Sequence, residues 1–200
     1  MNRSIVCWWS RSAPRNRFLP NSPASGSTAE RPADHQHSPS PSHARPCPYP
    51  GVTRPDGTGW ATGYKTSNGR ISTTAGTDKD LTTILELAQQ AGYRTGDVST
   101  AELTDATPAV LASHVNARGC QGPLDMASCP KDKKSAGGKG SIAEQMVDHH
   151  VAVLLGGGKA RFDQKIDGGP SVKKTVTQYA VAQGYQVVTA ASALTEFKRG

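Results

Sequence analysis

The sequence has 200 residues, a formal net charge of +7 and a pI of about 9.4. This length is enough for one domain with its own core. A pI above nine can mark a nucleic-acid-binding protein, but the arginines of the first segment are scattered without helical or groove-matching spacing. No run of about 18 apolar residues is present, so nothing predicts a membrane span. We therefore expect neither nucleic acid nor a membrane as a partner.

The first segment differs in composition from the rest of the chain. Residues 1–59 contain ten of the fourteen prolines and seven arginines but no lysine. Such a stretch cannot bury enough apolar surface to offset the entropy of ordering it. We predict that residues 1–57 are disordered; their composition is also typical of translation in a wrong reading frame. The apolar run from Ile5 to Trp9 is too short for a signal peptide.

The first periodic segment after Trp60 indicates a helix from Thr82 to Ala91. Asp80 or Thr82 can cap it, and Gly92 can stop it. The 3.6-residue period predicts that one buried face contains Ile84, Leu87, Ala88 and Ala91.

Strand and helix patterns then alternate along the chain. This alternation favours an α/β fold with a mostly parallel sheet, in a domain spanning 58–200. The pattern stops while still in progress, so we expect a partial domain. The predicted elements are a strand at 93–100, a helix at 107–115, a loop at 119–140, a helix at 141–149 with Ser141 and Glu144 in capping-box spacing, a strand at 151–155, a helix at 172–183, a strand at 185–189 and a helix beginning at Ala191.

Several separated blocks closely resemble the alkaline phosphatase family, especially its bacterial, disulfide-containing members. The resemblance extends over about residues 58–195 in the family's order. The blocks are Trp60–Gly69, Ser99–Ala109, Arg118–Cys120, Gly138–Gln145 and Leu155–Gly158.

The resemblance implies an incomplete alkaline phosphatase-like fold, a partial three-layer sandwich. It also implies hydrolysis of phosphate monoesters with Mg²⁺ and Zn²⁺ as cofactors, a homodimeric state, and a periplasmic or secreted location. A remnant that binds magnesium and phosphate without turnover is the alternative.

Asp105 and Thr107 match family residues that help to hold magnesium. Mg²⁺ prefers oxygen ligands and takes one or two carboxylates while keeping waters. If the preceding strand continues this far, the two side chains lie on the same side of it. An Asp-x-Thr sequence alone is common, and capping of the helix at Pro108 is its ordinary explanation.

Arg118 matches the arginine that binds the substrate phosphate. A guanidinium can donate two parallel hydrogen bonds to phosphate oxygens, and it stays charged at alkaline pH. Cys120 and Cys129 match a family disulfide that closes a short surface loop. Such a bond persists in an oxidising compartment.

For two other motifs we expect a structural role and not a ligand-binding one. The Gly156–Lys159 sequence lacks the spacing of a phosphate-binding loop, and its glycines match a turn after a strand. His149 and His150 could bind zinc, but adjacent histidines at a helix end point apart.

The family's serine nucleophile and zinc ligands have no counterpart in this sequence. The serine belongs to an Asp-Ser-Ala segment, and counting back without gaps from Trp60 reaches Val52 and Thr53 for the first two positions. We therefore expect that no zinc pair forms and that the chain alone is inactive.

Overall fold

The computed structural model describes residues 4–8, 56–190 and 193. They all belong to one compact unit. The strands are β1 (Ser4–Trp8), β2 (Gly96–Glu102), β3 (Val153–Gly157) and β4 (Tyr185–Val188). The helices are α1 (Asp56–Thr62), α2 (Ile84–Gln90), α3 (Ala106–Ala112), α4 (Ile142–Asp148), α5 (Lys159–Phe162) and α6 (Val176–Ala182), with 3₁₀ helices at Pro123–Ser128 and Lys134–Ala136.

The four strands form one parallel sheet in the order β2-β3-β1-β4. In β1, Val6 lies opposite Leu154 of β3 and Val187 of β4. Val6 and Leu154 are fully buried. The predicted α/β class with a parallel sheet is therefore confirmed.

The prediction that residues 1–57 are disordered is wrong for Ser4–Trp8. This segment pairs with a strand on each side and so lies inside the sheet. Its apolar run is too short for a signal peptide, but it is an ordinary length for a buried parallel strand. Residues 9–55, including Val52 and Thr53, lie outside the described residues.

Capping boxes fix the starts of three helices. Thr83, Ser141 and Thr175 each accept a side-chain hydrogen bond from the backbone N–H three residues on, and the side chain of that residue accepts one from the N–H of the capping residue. The cap of α2 is therefore Thr83 rather than Asp80 or Thr82. A left-handed Gly92, at φ 84°, follows the end of α2 and stops it as predicted.

The buried face of α2 differs from the predicted one. Leu85 is buried, whereas Ile84 and Leu87 are 58% and 53% exposed. The predicted helix is present, but its N-cap is Thr83, one residue after Thr82. The side chain that packs into the core is that of Leu85. Periodicity alone does not say which stripe of a short helix meets its neighbours.

No helix among the described residues is long and apolar enough to cross a membrane. The core lies between the sheet and the helices. Its largest fully buried apolar side chains are those of Phe162, Ile71, Leu103, Met126, Ile142, Met146, Leu154 and Ile166.

Asp97 in β2 is a buried carboxyl group that should make stability depend on pH. The residue is 5% exposed, its Oδ2 has no hydrogen-bond partner among the described residues, and burial raises its pKa to about 6. The folded protein therefore binds this proton more tightly than the unfolded chain, in which the pKa is about 4. This stabilises the fold fully below about pH 4, and the contribution is lost as the pH rises through about 6.

In the parent, the unfolding free energy should fall between pH 4 and pH 7. We expect this fall to be about 2 kcal/mol smaller in Asp97→Asn. Urea unfolding at several pH values measures this change. Asp163→Asn, at a half-exposed carboxylate, is the control, since ion pairs at exposed sites contribute little. An unchanged pH slope in Asp97→Asn would show that the buried carboxyl is not the cause.

Candidate active-site cleft

The candidate site lies where β2 and β3 end. An open cleft of about 610 Å³ is lined by residues of both strand ends and of the segments that follow them: Thr100, Ala101, Glu102, Asp105, Gln121, Gly157, Gly158 and Arg161. The carboxyl edge of a parallel sheet is the usual ligand-binding edge of such folds, because loops from several strands meet there.

Asp105 occupies the N-cap position of α3, three residues after the end of β2. Its side chain makes no capping hydrogen bond. The carboxylate instead faces the cleft, where Oδ1 accepts from Gln121 Nε2 at 3.3 Å and lies 3.7 Å from Arg118 Nη2. Capping therefore does not account for this aspartate, although its position is that of a cap.

Thr107 lies in α3, in agreement with the predicted helix at 107–115, and not on a continuation of β2. β2 ends at Glu102, so Asp105 and Thr107 are related by the turn at the start of α3 rather than by strand alternation. Thr107 is exposed and lines a second, smaller hollow together with Arg118. The predicted residues Asp105, Thr107 and Arg118 thus gather at one edge of the sheet.

Arg118 is positioned through its own backbone. Its N–H donates to the Gly69 carbonyl at 2.6 Å, and the nearby Val115 pairs with Ile71 in an antiparallel bridge. Two residues later, Cys120 forms the predicted disulfide with Cys129, at an S–S distance of 1.99 Å. These contacts fix the loop on both sides of Arg118, whose side chain is 40% exposed.

Arg161 is a cleft residue that sequence reasoning missed. Its Nη1 donates to Asp125 at 3.2 and 3.3 Å, and its Nε lies 3.6 Å from a Glu102 carboxylate oxygen. The sequence offers no local signal for it, because its two partners come from two other segments of the chain.

The three glycines after Leu155 allow the close packing of the strand ends. A Cβ at Gly156 would lie 2.9 Å from Leu103 Cγ, and Gly158 adopts φ 88° at the start of α5. The expected turn after the strand is present only at Gly158, since Gly156 and Gly157 belong to β3, where they pack against the segment that leads to Asp105.

The oxygen-rich lining fits a hard divalent cation. Glu102, Asp105, Thr100 and Thr107 offer carboxylate and hydroxyl oxygens around the two hollows, which is the donor set that Mg²⁺ prefers. The described lining residues include no His or Cys, so this part of the cleft does not fit zinc, which favours nitrogen and sulfur ligands.

A second cluster lies outside the cleft and was not predicted. Glu86, His114 and His149 come from three parts of the chain, and one ligand atom from each lies within 4.8 Å of the others. His150 is exposed, in agreement with the expectation that the two adjacent histidines point apart. The sequence alone gives no sign of this cluster, because its first and last members are 63 positions apart.

Comparison with known proteins gives a consistent set of similarities. A profile of the family described as alkaline phosphatase matches residues 53–199. The chain is 55% identical over 131 residues to streptomycin-6-phosphate phosphatase of Streptomyces griseus, and 46% identical over 138 residues to alkaline phosphatase of Escherichia coli strain K12. These alignments cover 66% and 68% of this chain and 29% of each relative.

Solved structures give the same result. A mutant of the TAB5 alkaline phosphatase with Mg bound in its M3 site superposes with a TM-score of 0.52 at 27% identity, covering 68% of this chain and 33% of that one. The cold-active alkaline phosphatase from a psychrophilic Shewanella species gives 0.50 at 28% identity, covering 72% and 29%.

The disulfide beside Arg118 should contribute measurably to stability. Closing a ten-residue ring reduces the entropy of the unfolded chain, which amounts to about 2.5–3 kcal/mol in the chain-entropy treatment. We expect the double variant Cys120→Ser, Cys129→Ser to lose about this much unfolding free energy in urea. Reductant should lower the midpoint of the parent and leave that of the double variant unchanged; a parent midpoint insensitive to reductant contradicts the prediction.

Proposed function

The chain belongs to the alkaline phosphatase family, and from this we propose that its cleft forms the magnesium- and phosphate-binding side of a phosphate monoester hydrolase. The chain spans 29% of the length of the curated relatives described above, so the activity of the whole protein is part of the proposal. The observation that carries it is the Asp105 carboxylate, which occupies a cap position without capping and faces the cleft beside Arg118.

In this proposal Asp105 and Thr107 hold a magnesium ion. Both offer oxygen ligands, and the half-exposed Asp105 carboxylate leaves room for the waters that Mg²⁺ retains. The ion would supply positive charge that holds a metal-bound water and balances the charge of the substrate phosphate. The magnesium-bound TAB5 enzyme supports a divalent metal in this family.

Arg118 binds the phosphate group of the substrate. Its contact with Asp105 is long for an ion pair, at 3.7 Å, and both side chains are about 40% exposed. Such a loose pair at a cleft costs little to rearrange when a dianionic ligand arrives. The guanidinium can then donate two parallel hydrogen bonds to phosphate oxygens, which orients the ester without any covalent step.

Gln121 and the strand-end packing keep Asp105 in place. The Gln121 amide donates to Asp105 Oδ1, and the Asp105 N–H donates to the Glu102 carbonyl at 3.0 Å. The carboxylate therefore has a fixed direction before any ligand binds, which lowers the cost of ordering the site. Zinc has no part in this proposal, because the described lining residues offer it no nitrogen or sulfur ligand.

A periplasmic or secreted location is part of the proposal. The Cys120–Cys129 disulfide supports it, since disulfides persist in oxidising compartments. The homodimeric state and the expected absence of nucleic-acid and membrane partners stay predictions.

The first test is binding. We expect inorganic phosphate with Mg²⁺ to give heat in isothermal titration of the full chain, and Arg118→Lys to weaken phosphate binding at least about tenfold, because it removes the bidentate donor. Asp105→Asn should remove the magnesium dependence. Arg94→Lys, at an exposed arginine outside the cleft, is the matched control. No heat at millimolar phosphate and Mg²⁺ contradicts the proposal.

The second test is hydrolysis of a chromogenic phosphate monoester at pH 8–10 with Zn²⁺ and Mg²⁺, beside a chelated control. We expect the 200-residue chain alone to give no turnover above background, because we predict that it has no counterpart of the family's serine. Turnover that the chelator abolishes would show that this expectation is wrong. Binding without turnover agrees with the alternative of a non-catalytic site.

A further inference from the structure

The cluster formed by Glu86, His114 and His149 lies apart from the cleft. Asp105 precedes α3 and His114 follows its C-terminal end, so about 10 Å of helix separates them. Glu86 belongs to the first turn of α2, and His149 is the C-cap of α4. Three helix ends therefore meet at this point.

The ring of His114 is fixed by its first nitrogen. Nδ1 lies 2.9 Å from the Ser72 carbonyl oxygen, which can only accept, so Nδ1 carries a hydrogen. Nε2 lies 3.1 Å from Glu86 Oε1, which is also an acceptor, so either a proton or a cation lies between these two atoms. The His114 side chain is 2% exposed, so water does not compete freely for this position. A ligand histidine whose other nitrogen donates to a backbone carbonyl is the usual arrangement at metal centres.

Glu86 presents one oxygen to both histidines. Its Oε2 accepts from the Thr83 N–H at 2.7 Å in the capping box, which leaves Oε1 toward the imidazoles.

His149 completes the cluster without a good hydrogen bond to it. Its Nδ1 lies 3.5 Å from Glu86 Oε1, which is beyond the usual range for N–H···O. The carbonyl of His149 accepts from Gln89 Nε2 at 2.7 Å, which fixes the backbone beside the cluster. The His149 side chain is 21% exposed and gives the cluster its access to solvent.

The two distances from Glu86 Oε1 match those between ligands of one tetrahedral cation, and the ligand nitrogens of His114 and His149 lie within 4.8 Å of each other. Two ligand atoms at bond lengths of 2.0–2.1 Å from zinc lie about 3.3 Å apart, and the two contacts of Glu86 Oε1 are 3.1 and 3.5 Å. We propose that Glu86, His114 and His149 bind a divalent transition-metal ion, of which Zn²⁺ fits best, in a three-ligand site that ties the ends of α2, α3 and α4 together. Two imidazoles and one carboxylate suit zinc and leave a fourth position for water.

The proposal does not rest on the proposed function. The ion uses residues at the far end of α3 from the cleft, and it stabilises the fold because the unfolded chain does not hold the three ligands together. The competing explanation is an ion pair between a charged His114 and Glu86 with His149 merely nearby.

The test uses the full chain, freed of metal by chelator and dialysis and then titrated with Co²⁺. Tetrahedral cobalt in a nitrogen and oxygen site gives visible d–d absorption, and Zn²⁺ should displace it. We expect one such ion per chain. His149→Asn and Glu86→Gln should each weaken binding at least about a hundredfold, since each removes one of three ligands. Glu86→Gln keeps the side-chain oxygen that the capping box needs.

His150→Asn is the matched control, because it removes an adjacent exposed imidazole at φ 49°, a conformation that asparagine tolerates. It should keep the cobalt bands, as should Asp105→Asn, which affects only the cleft. Zn²⁺ should raise the Tm of the parent and of both controls but not that of His149→Asn.

Three results would overturn the proposal. The first is a parent chain without a tetrahedral cobalt spectrum, which leaves the ion pair as the explanation. The second is a spectrum that survives in both His149→Asn and Glu86→Gln, which assigns the metal elsewhere. The third is an equal loss of the spectrum in His150→Asn. Circular dichroism shows which variants are folded, and His149→Asn keeps the test valid if Glu86→Gln unfolds, because asparagine is well suited to a helix end.

Discussion

The pairing of β1 with both of its neighbours is the constraint on which the sheet depends. β3 and β4 do not pair with each other; each pairs with β1, from Ile5 to Trp8 on one side and from Ser4 to Cys7 on the other. Buried backbone groups need hydrogen-bond partners, so the two strands share one sheet only because this five-residue segment lies between them. The position of β3, and with it one wall of the cleft, follows from that pairing.

Much of the fold was predictable because its signals are local. The capping box at Ser141, the left-handed Gly92 and the alternation of strands with helices are all short-range patterns, and each appears in the structure. β1 was missed because its apolar run is embedded in a segment dominated by proline, serine and arginine. The average composition of residues 1–57 predicts disorder, and it does not reveal that five of these residues form a strand.

The residues of the candidate site were also predictable only where they belong to a local motif. Asp105, Arg118 and the two cysteines stand in recognisable motifs, and the structure brings them to one edge of the sheet. Arg161 and the cluster of Glu86, His114 and His149 depend on contacts between distant segments, for which a single sequence holds no signal. Whether β2 reaches Asp105 and Thr107 stayed open in the sequence, because the length of a strand is less certain than its existence.

Gly156 extends the functional region beyond the residues that line the cleft. Any side chain at this position would press on Leu103, which is fully buried and stands two residues before Asp105. Densely packed interiors transmit such displacements instead of absorbing them. The direction of the Asp105 carboxylate therefore depends partly on the missing side chain of Gly156, a residue that does not itself line the cleft.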